Sequence, residues 1–159
     1  MRGVLVSNAA FITVMAVLGA FDSNPINAAE RAPAITSQVQ LIVDELKGHL
    51  SIPSEVIVAV VESNPLLVSV EPNTSDLRRF VMSFEEGFLA QLDDTDLRAV
   101  IAHELGHVWI FTHHPYLQTE RLANTVAMRV VSRESLERVY GKVWERGGAK
   151  GDLVHFLGQ

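Results

Sequence analysis

The sequence of 159 residues contains no cysteine. This absence excludes zinc sites built on thiolates, disulfide bonds and a lipid attached to a cysteine. Any metal ion must therefore be held by histidine, aspartate or glutamate, and the chain has six histidines that qualify.

Basic residues are also few, with 13 Lys and Arg against 19 Asp and Glu and a formal net charge of -6. No basic stripe is present to neutralise phosphates, so the sequence predicts no nucleic-acid partner. The apolar fraction of 48% and the charged fraction of 20% are typical of a globular protein, and the length fits one domain with a real core.

The most apolar stretch, residues 9–21, is short for a membrane span. Arg2 precedes it and small residues follow at 19–20 and 27–29, which is the layout of a secretory signal peptide. We therefore predict a signal peptide over residues 1–29, with an uncleaved N-terminal anchor as the alternative. Residues 30–159 would form a single exported domain, periplasmic or extracellular, that is attached to a membrane only if the N-terminal segment is not cleaved.

The hydrophobic patterns predict an α+β domain. Strands are expected at 55–62, 66–71 and 79–84, where β-branched residues cluster or apolar residues alternate. Strand 79–84 either lies at an edge of the sheet, where an extended peptide can pair with it, or is an ordinary interior strand. Helices, a short helical turn and a proline-containing linker complete the prediction, with helices at 36–50, 95–112, 117–131 and 132–146, the turn at 85–92 and the linker at 24–33.

The predicted helix 95–112 contains the motif His103-Glu104-Leu105-Gly106-His107. Histidines four residues apart lie on one face of a helix, so both imidazoles can bind one zinc ion. Glu104 lies beside that ion without having to bind it, and can take a proton from zinc-bound water. The motif is therefore typical of metalloproteases, and the alternative is a solvated histidine face. Gly106 disfavours the helix by about 1 kcal/mol, which predicts close approach by another backbone.

The motif needs a third ligand, and Glu120 is the preferred candidate. It shares a helical face with Ala123, Asn124 and Ala127, and the small side chains on that face let two helices approach closely. Asn124 can accept a hydrogen bond from the second ring nitrogen of a ligating histidine. The alternative for Glu120 is an ordinary charge in the first turn of a helix.

A rival third ligand is His113, because its spacing from the two motif histidines fits the pattern H-E-x-x-H-x-x-G-x-x-H. That pattern requires glycine where this chain has Ile110, since the helix must turn sharply before the last histidine. Glu120 is therefore preferred, and His113 is kept as the alternative.

HELGH followed by E-x-x-A-N-x-x-A resembles the gluzincin zinc metallopeptidases, and residues 80–108 are similar to the branch that contains the HtpX heat-shock protease and the CAAX prenyl protease. The resemblance implies a minimal zincin-like domain, in which a small, mostly antiparallel sheet has an edge strand packed on the motif helix and two to three further helices complete the fold. It also implies Zn²⁺ as the cofactor, His103, His107 and Glu120 as its ligands and Glu104 as the general base.

Two features depart from that family pattern. Asn124 stands where the family usually has Asp, so the hydrogen-bond acceptor for a ligating histidine carries no charge. The link from His107 to Glu120 is also short for that branch, so the connection between the two helices must be minimal.

The expected function is zinc-dependent endopeptidase cleavage of peptide or protein substrates, by a zinc-bound water that Glu104 activates. The alternative is a catalytically inactive or chaperone-like zinc-binding protein of the cell envelope. A donor for the developing oxyanion is also expected. The sequence does not choose among the candidates, which are His114, Tyr116, Tyr140 and His155.

Overall fold

The computed structural model describes residues 25–76, 78–148 and 151–158. Residues 1–24 of the predicted signal peptide or anchor lie outside the described residues. The elements of the described part are α1 (Pro25–His49), β1 (Glu55–Val61), β2 (Val68–Pro72), β3 (Arg79–Glu85), α2 (Glu86–Leu89), α3 (Asp94–His113), a 3-10 helix (Pro115–Leu117), α4 (Glu120–Ala127), α5 (Arg133–Gly147) and α6 (Leu153–Leu157).

Most predicted elements are present, with small shifts at their ends. The predicted strands and the helices 95–112 and 132–146 correspond to β1 to β3, α3 and α5. The predicted helix 117–131 is shorter, since the 3-10 helix precedes α4. Within the described ranges, no helix is both long enough and apolar enough to span a bilayer.

The three strands form one sheet in the order β1-β3-β2. β1 runs parallel to β3, with Val56 opposite Phe80, and β2 runs antiparallel to β3, with Val70 opposite Met82. This confirms the α+β prediction, although the sheet is mixed rather than mostly antiparallel. β3 lies in the centre and buries Phe80, Met82 and Phe84. Its interpretation as an edge strand is therefore wrong, and the interior alternative is correct.

The two edges of the sheet have different neighbours. At the β1 edge, Gln40 of α1 donates from Nε2 to the Val56 carbonyl and accepts from the Val58 N–H, both at 2.9 Å. The side-chain amide thereby takes the place of a neighbouring strand. At the other edge β2 packs against α3. The strand that lies at an edge beside the motif helix is therefore β2.

Helix α1 begins at Pro25 and includes Pro33, so the prediction of a linker at 24–33 is wrong. A proline inside a helix removes one backbone hydrogen bond, and the remaining bonds of a long helix can hold the chain on both sides of it. The second half of α1 also gains from burial in the core, to which it contributes Val39, Val43 and Leu46.

Helix α3 lies in the centre of the domain and packs against α1, α4, α5 and β2. Asp93 caps its start by accepting a hydrogen bond from the Asp96 N–H at 2.8 Å. Asp96 is itself buried and pairs with Arg138 at 3.2 Å and Lys142 at 2.7 Å, which fixes α5 across the start of α3. The buried apolar side chains of α3 form the middle of the core and include Ala99, Ile101, Ala102, Leu105, Val108 and Ile110.

Candidate metal centre

Helices α3 and α4 bring three possible metal ligands together. His103 and His107 lie on one face of α3, with their Nε2 atoms 3.3 Å apart. Glu120 is the first residue of α4, and its Oε2 lies 3.2 Å from His103 Nε2 while its Oε1 lies 3.4 Å from His107 Nε2. One ligand atom from each residue lies within 4.8 Å of the others. The two motif histidines and the preferred third candidate therefore meet at one point.

Gly106 allows α4 to lie against α3. A Cβ atom at this position would overlap the carbonyl oxygen of Ala123 and would lie 2.9 Å from its Cα and C atoms. Side chains larger than a hydrogen atom cannot be accommodated at this distance without movement of the backbone. The predicted close approach is confirmed. It brings Glu120, one turn before Ala123, up to the histidines.

The link between α3 and α4 supplies a hydrogen-bond partner for one of the histidines. Thr119 caps α4 by accepting from the Leu122 N–H at 3.2 Å. Just before it, Gln118 places Oε1 3.2 Å from His107 Nδ1 and donates from Nε2 to the His107 carbonyl at 3.3 Å. No pattern in the sequence singles out Gln118, because an amide in a connecting loop has no diagnostic spacing.

Asn124 of α4 holds the other histidine. Its Oδ1 accepts from His103 Nδ1 at 2.8 Å, and its Nδ2 donates to the Tyr140 hydroxyl at 2.8 Å and to the Phe156 carbonyl at 3.0 Å. In a neutral His103 ring with its proton on Nδ1, the Nε2 atom beside Glu120 is available to bind a metal ion. The hydrogen bond expected of Asn124 is therefore present, with His103 as its partner.

The two acids of the site have pKa values displaced in opposite directions. Burial raises the pKa of Glu104, which is only 8% exposed, against the smaller opposing effects of His103 and His107. Hydrogen bonds from the same histidines hold the pKa of Glu120 well below its usual range. Burial lowers the pKa of His107, but its hydrogen bond to Glu120 and the nearby carboxylates outweigh burial and raise it overall. Such opposed displacements are typical of a functional site.

The donor set fits a zinc ion. Two imidazole nitrogens and one carboxylate form a known ligand set of catalytic zinc sites, which keep a further position open. Asn124 and Gln118 contact the second nitrogen of each ring, as groups that orient ligating histidines do. Three lone-pair donors that face one another within 4.8 Å are stabilised by a shared cation or proton.

A cavity of about 370 Å³ opens at this group. Glu104 and Tyr140 line it beside the three candidate ligands, and the edge strand β2 borders it, with Ser69 and Glu71 among the lining residues. Its other walls are mainly apolar and come from β2, α3 and α5, including Val68, Val70, Val100, Leu136, Val139 and Val143. The cavity therefore joins an apolar pocket, a strand edge and the candidate metal ligands.

The rival ligand His113 lies at the end of α3 and points elsewhere. Its ring stacks on Trp109, with the ring centres 4.2 Å apart, and its Nδ1 donates to the Trp109 carbonyl at 2.9 Å. Over the described ranges, the residues that converge as possible ligands include Glu120 and not His113.

Of the four candidate oxyanion donors, Tyr140 lies at the site. Its hydroxyl donates to Glu120 Oε2 at 3.4 Å and its ring lines the cavity. Tyr116 is 97% exposed on the 3-10 helix, and His114 and His155 occupy exposed positions away from the cavity lining. Among these four candidates, Tyr140 is the one that the structure places at the site.

The fold and the site define a class of protein. Two histidines from one helix and a glutamate from the next, beside an edge strand in a small α+β domain, form the arrangement of a zincin-like metallopeptidase of the gluzincin type. The family model for peptidase family M48 matches residues 33–148, and the chain belongs to this family. No curated protein and no solved structure matches the chain. Membership of a peptidase family does not favour the inactive or chaperone-like alternative.

Proposed function

We propose that this protein is a zinc-dependent metalloendopeptidase, with His103, His107 and Glu120 as the zinc ligands and Glu104 as the general base. One observation carries the proposal. The three candidate ligands converge in the lining of a cavity whose wall also contains Glu104, a buried glutamate from the helix of the two histidines. A zinc site that was only structural would need neither the cavity nor the extra acid.

When bound, zinc would supply a Lewis acid that polarises a carbonyl group and makes water more acidic. Glu104 would accept the proton of the attacking water at its carboxylate and later deliver it to the leaving amine. Its burial suits both steps, because a raised pKa makes the carboxylate a better base and keeps the protonated form accessible. Tyr140 lies close enough to Glu120 to be the oxyanion donor, or to orient that ligand.

The substrate would be an extended peptide bound along β2. β2 lines the cavity, and its pairing with β3 turns the backbone groups of Val68 and Val70 outward. Gln40 occupies the opposite edge of the sheet. Main-chain pairing with an edge strand fixes the direction of a peptide without reading its sequence. The apolar walls contributed by α5 would then favour a large apolar side chain next to the scissile bond.

We also propose that the protein acts outside the cytoplasm, as the signal-like composition of residues 1–29 suggests. A narrower relationship to the HtpX and CAAX prenyl protease branch belongs to the same proposal. Fractionation of cells that express the full chain would test the location. Recovery of all the protein in the cytoplasm, at its uncleaved mass, would refute export.

The central experiment compares the wild type with Glu104→Gln, which keeps the shape of the side chain but removes its basicity. Cleavage of casein or of a peptide library should fall by about 10²- to 10⁴-fold, while zinc content stays at one per chain. Glu145→Gln, an exposed substitution on α5, is the matched control and should retain full activity. Equal turnover by the wild type and Glu104→Gln in the presence of zinc would overturn the proposal.

A further inference from the structure

The segment 151–158 docks beside the metal centre. Leu157 of α6 is 4% exposed and belongs to the core. Arg133 of α5 donates from its two Nη atoms to the Leu157 carbonyl at 3.3 Å and to the Gly158 carbonyl at 2.8 Å. Asp152 caps the short helix by accepting from the Val154 N–H at 2.9 Å. The segment is therefore held by burial, by a charged anchor and by its own cap.

One backbone group of this segment reaches Asn124. The Phe156 carbonyl accepts from Asn124 Nδ2 at 3.0 Å, and the side chain of Asn124 is fully buried. The Phe156 ring packs against Tyr140, with the ring centres 5.3 Å apart. Tyr140 is the second acceptor for the same Asn124 amide, at 2.8 Å.

The Phe156 carbonyl decides which way the amide of Asn124 faces. A carbonyl oxygen can only accept, so it requires the NH₂ group of Asn124 on its side. The Tyr140 hydroxyl accepts from the same NH₂ group while it donates to Glu120 at 3.4 Å, but unlike a carbonyl it could donate to an oxygen of Asn124 by giving up the bond to Glu120. With the NH₂ group held by Phe156, the Oδ1 atom faces His103 and requires a proton on Nδ1 of that ring. The Nε2 lone pair is then left for a metal ion.

We propose that the segment 151–158 positions the metal centre, acting through the Phe156 carbonyl and Asn124 on the tautomer of His103. Docking of the segment and metal affinity are coupled through this chain of contacts. The coupling is reciprocal, so a bound metal ion also stabilises the docked segment. The inference rests on His103 being a ligand, as in the proposed function.

A substitution to Asp separates the two halves of the Asn124 contact. Asn124→Asp keeps an acceptor for His103 but replaces the NH₂ group by an oxygen that faces the Phe156 carbonyl, also an acceptor. Hydrogen exchange of the amides in 151–158, measured on the metal-free protein, should become at least several times faster than in the wild type. Unchanged exchange would show that the Phe156 contact does not hold the segment, and would overturn the proposal.

A substitution far from the metal tests the coupling itself. Arg133→Met removes the anchor of the segment and touches none of the candidate ligands. Glu137→Gln is its matched control, because it breaks the ion pair of Arg133 with Glu137 at 2.8 Å and leaves the anchor in place. We expect Arg133→Met to weaken zinc binding by on the order of tenfold relative to Glu137→Gln, measured by competition with a chromophoric chelator. In long-range proton–nitrogen spectra of metal-free Arg133→Met, His103 should no longer be restricted to the tautomer that carries its proton on Nδ1.

The outcomes separate this inference from the proposed function. If Arg133→Met leaves the segment protected from exchange, a second variant is measured in the same way. This variant is Leu157→Asp, which places a charge at the buried position of Leu157. A loosened segment with unchanged zinc affinity and an unchanged His103 tautomer would overturn the inference while the proposed function stands. Absence of zinc binding by the wild type would instead refute the proposed function. The tautomer and exchange results on the metal-free protein would still decide the contact of Phe156 with Asn124.

Discussion

The contact between Gly106 and the backbone of Ala123 makes the site sensitive to a single methyl group. Replacing Gly106 by Ala introduces a residue that favours a helix by about 1 kcal/mol. The new Cβ would lie 2.9 Å from the Cα and C atoms of Ala123, where about 3.5–4.0 Å is the optimal separation of carbon atoms. Helix α4 must therefore retreat by on the order of 1 Å, and Glu120 moves with it.

Two effects on stability oppose each other in Gly106→Ala. Overpacking in a close-packed interior costs about 1–3 kcal/mol, which exceeds the gain in helix propensity. We expect a net decrease in the free energy of unfolding of about 1 kcal/mol. Zinc binding is more sensitive to this movement than stability is, because metal–ligand distances tolerate deviations of only about 0.2 Å. Zinc affinity should therefore fall by at least about tenfold.

Gly141→Ala is the matched control for this experiment. Gly141 lies in α5, and a Cβ added there meets no atom within 4 Å. This variant should be more stable than the wild type by up to about 1 kcal/mol and should bind zinc normally. Urea denaturation of the metal-free proteins and chelator competition give the two quantities. If Gly106→Ala matches Gly141→Ala in both, the close approach of α4 and the derived position of Glu120 are wrong.

Two further pairs of substitutions test the site and the sheet. Glu120→Ala should abolish stoichiometric zinc binding, whereas His113→Ala should retain it because His113 packs away from the group of candidate ligands. Elemental analysis measures the zinc content, and full zinc content in Glu120→Ala would contradict the role of Glu120 as a ligand. Gln40→Ala should lower the free energy of unfolding by about 1–3 kcal/mol, because two backbone groups of β1 lose their partner. Urea denaturation measures the free energy of unfolding, with Gln38→Ala, a substitution at an exposed position of the same helix, as the control. Equal stability of the two variants would show that water replaces the Gln40 amide.

The elements that the sequence predicted well are those with local determinants. Apolar residues at helical spacing predict α3 and α5, and alternation predicts β3, because these periods follow from backbone geometry alone. For the same reason, histidines four residues apart share a face of any helix. Gly106 and the small residues that follow Glu120 also carried a signal, since small side chains mark surfaces that approach closely.

The linker prediction at 24–33 failed because it relied on local signals alone. Two prolines and several small residues are typical of a loop, but their cost to a helix is limited to a few hydrogen bonds. Helix α1 continues through Pro33, and burial of its second half against the sheet contributes stability that no local pattern records. Propensity is therefore a weak guide where tertiary packing acts on the same helix.

Only the tertiary structure decided features that depend on which surfaces meet. A buried face looks the same on an interior and on an edge strand, so the sequence left the role of β3 open and the sheet order assigned the edge to β2. Gln118 and Asn124 acquire their roles from partners that lie in other elements. Glu120 reaches the histidines, and His113 does not, because α4 packs directly on Gly106. Spacing along the chain limits which residues can meet, but contact between helices determines which of them do.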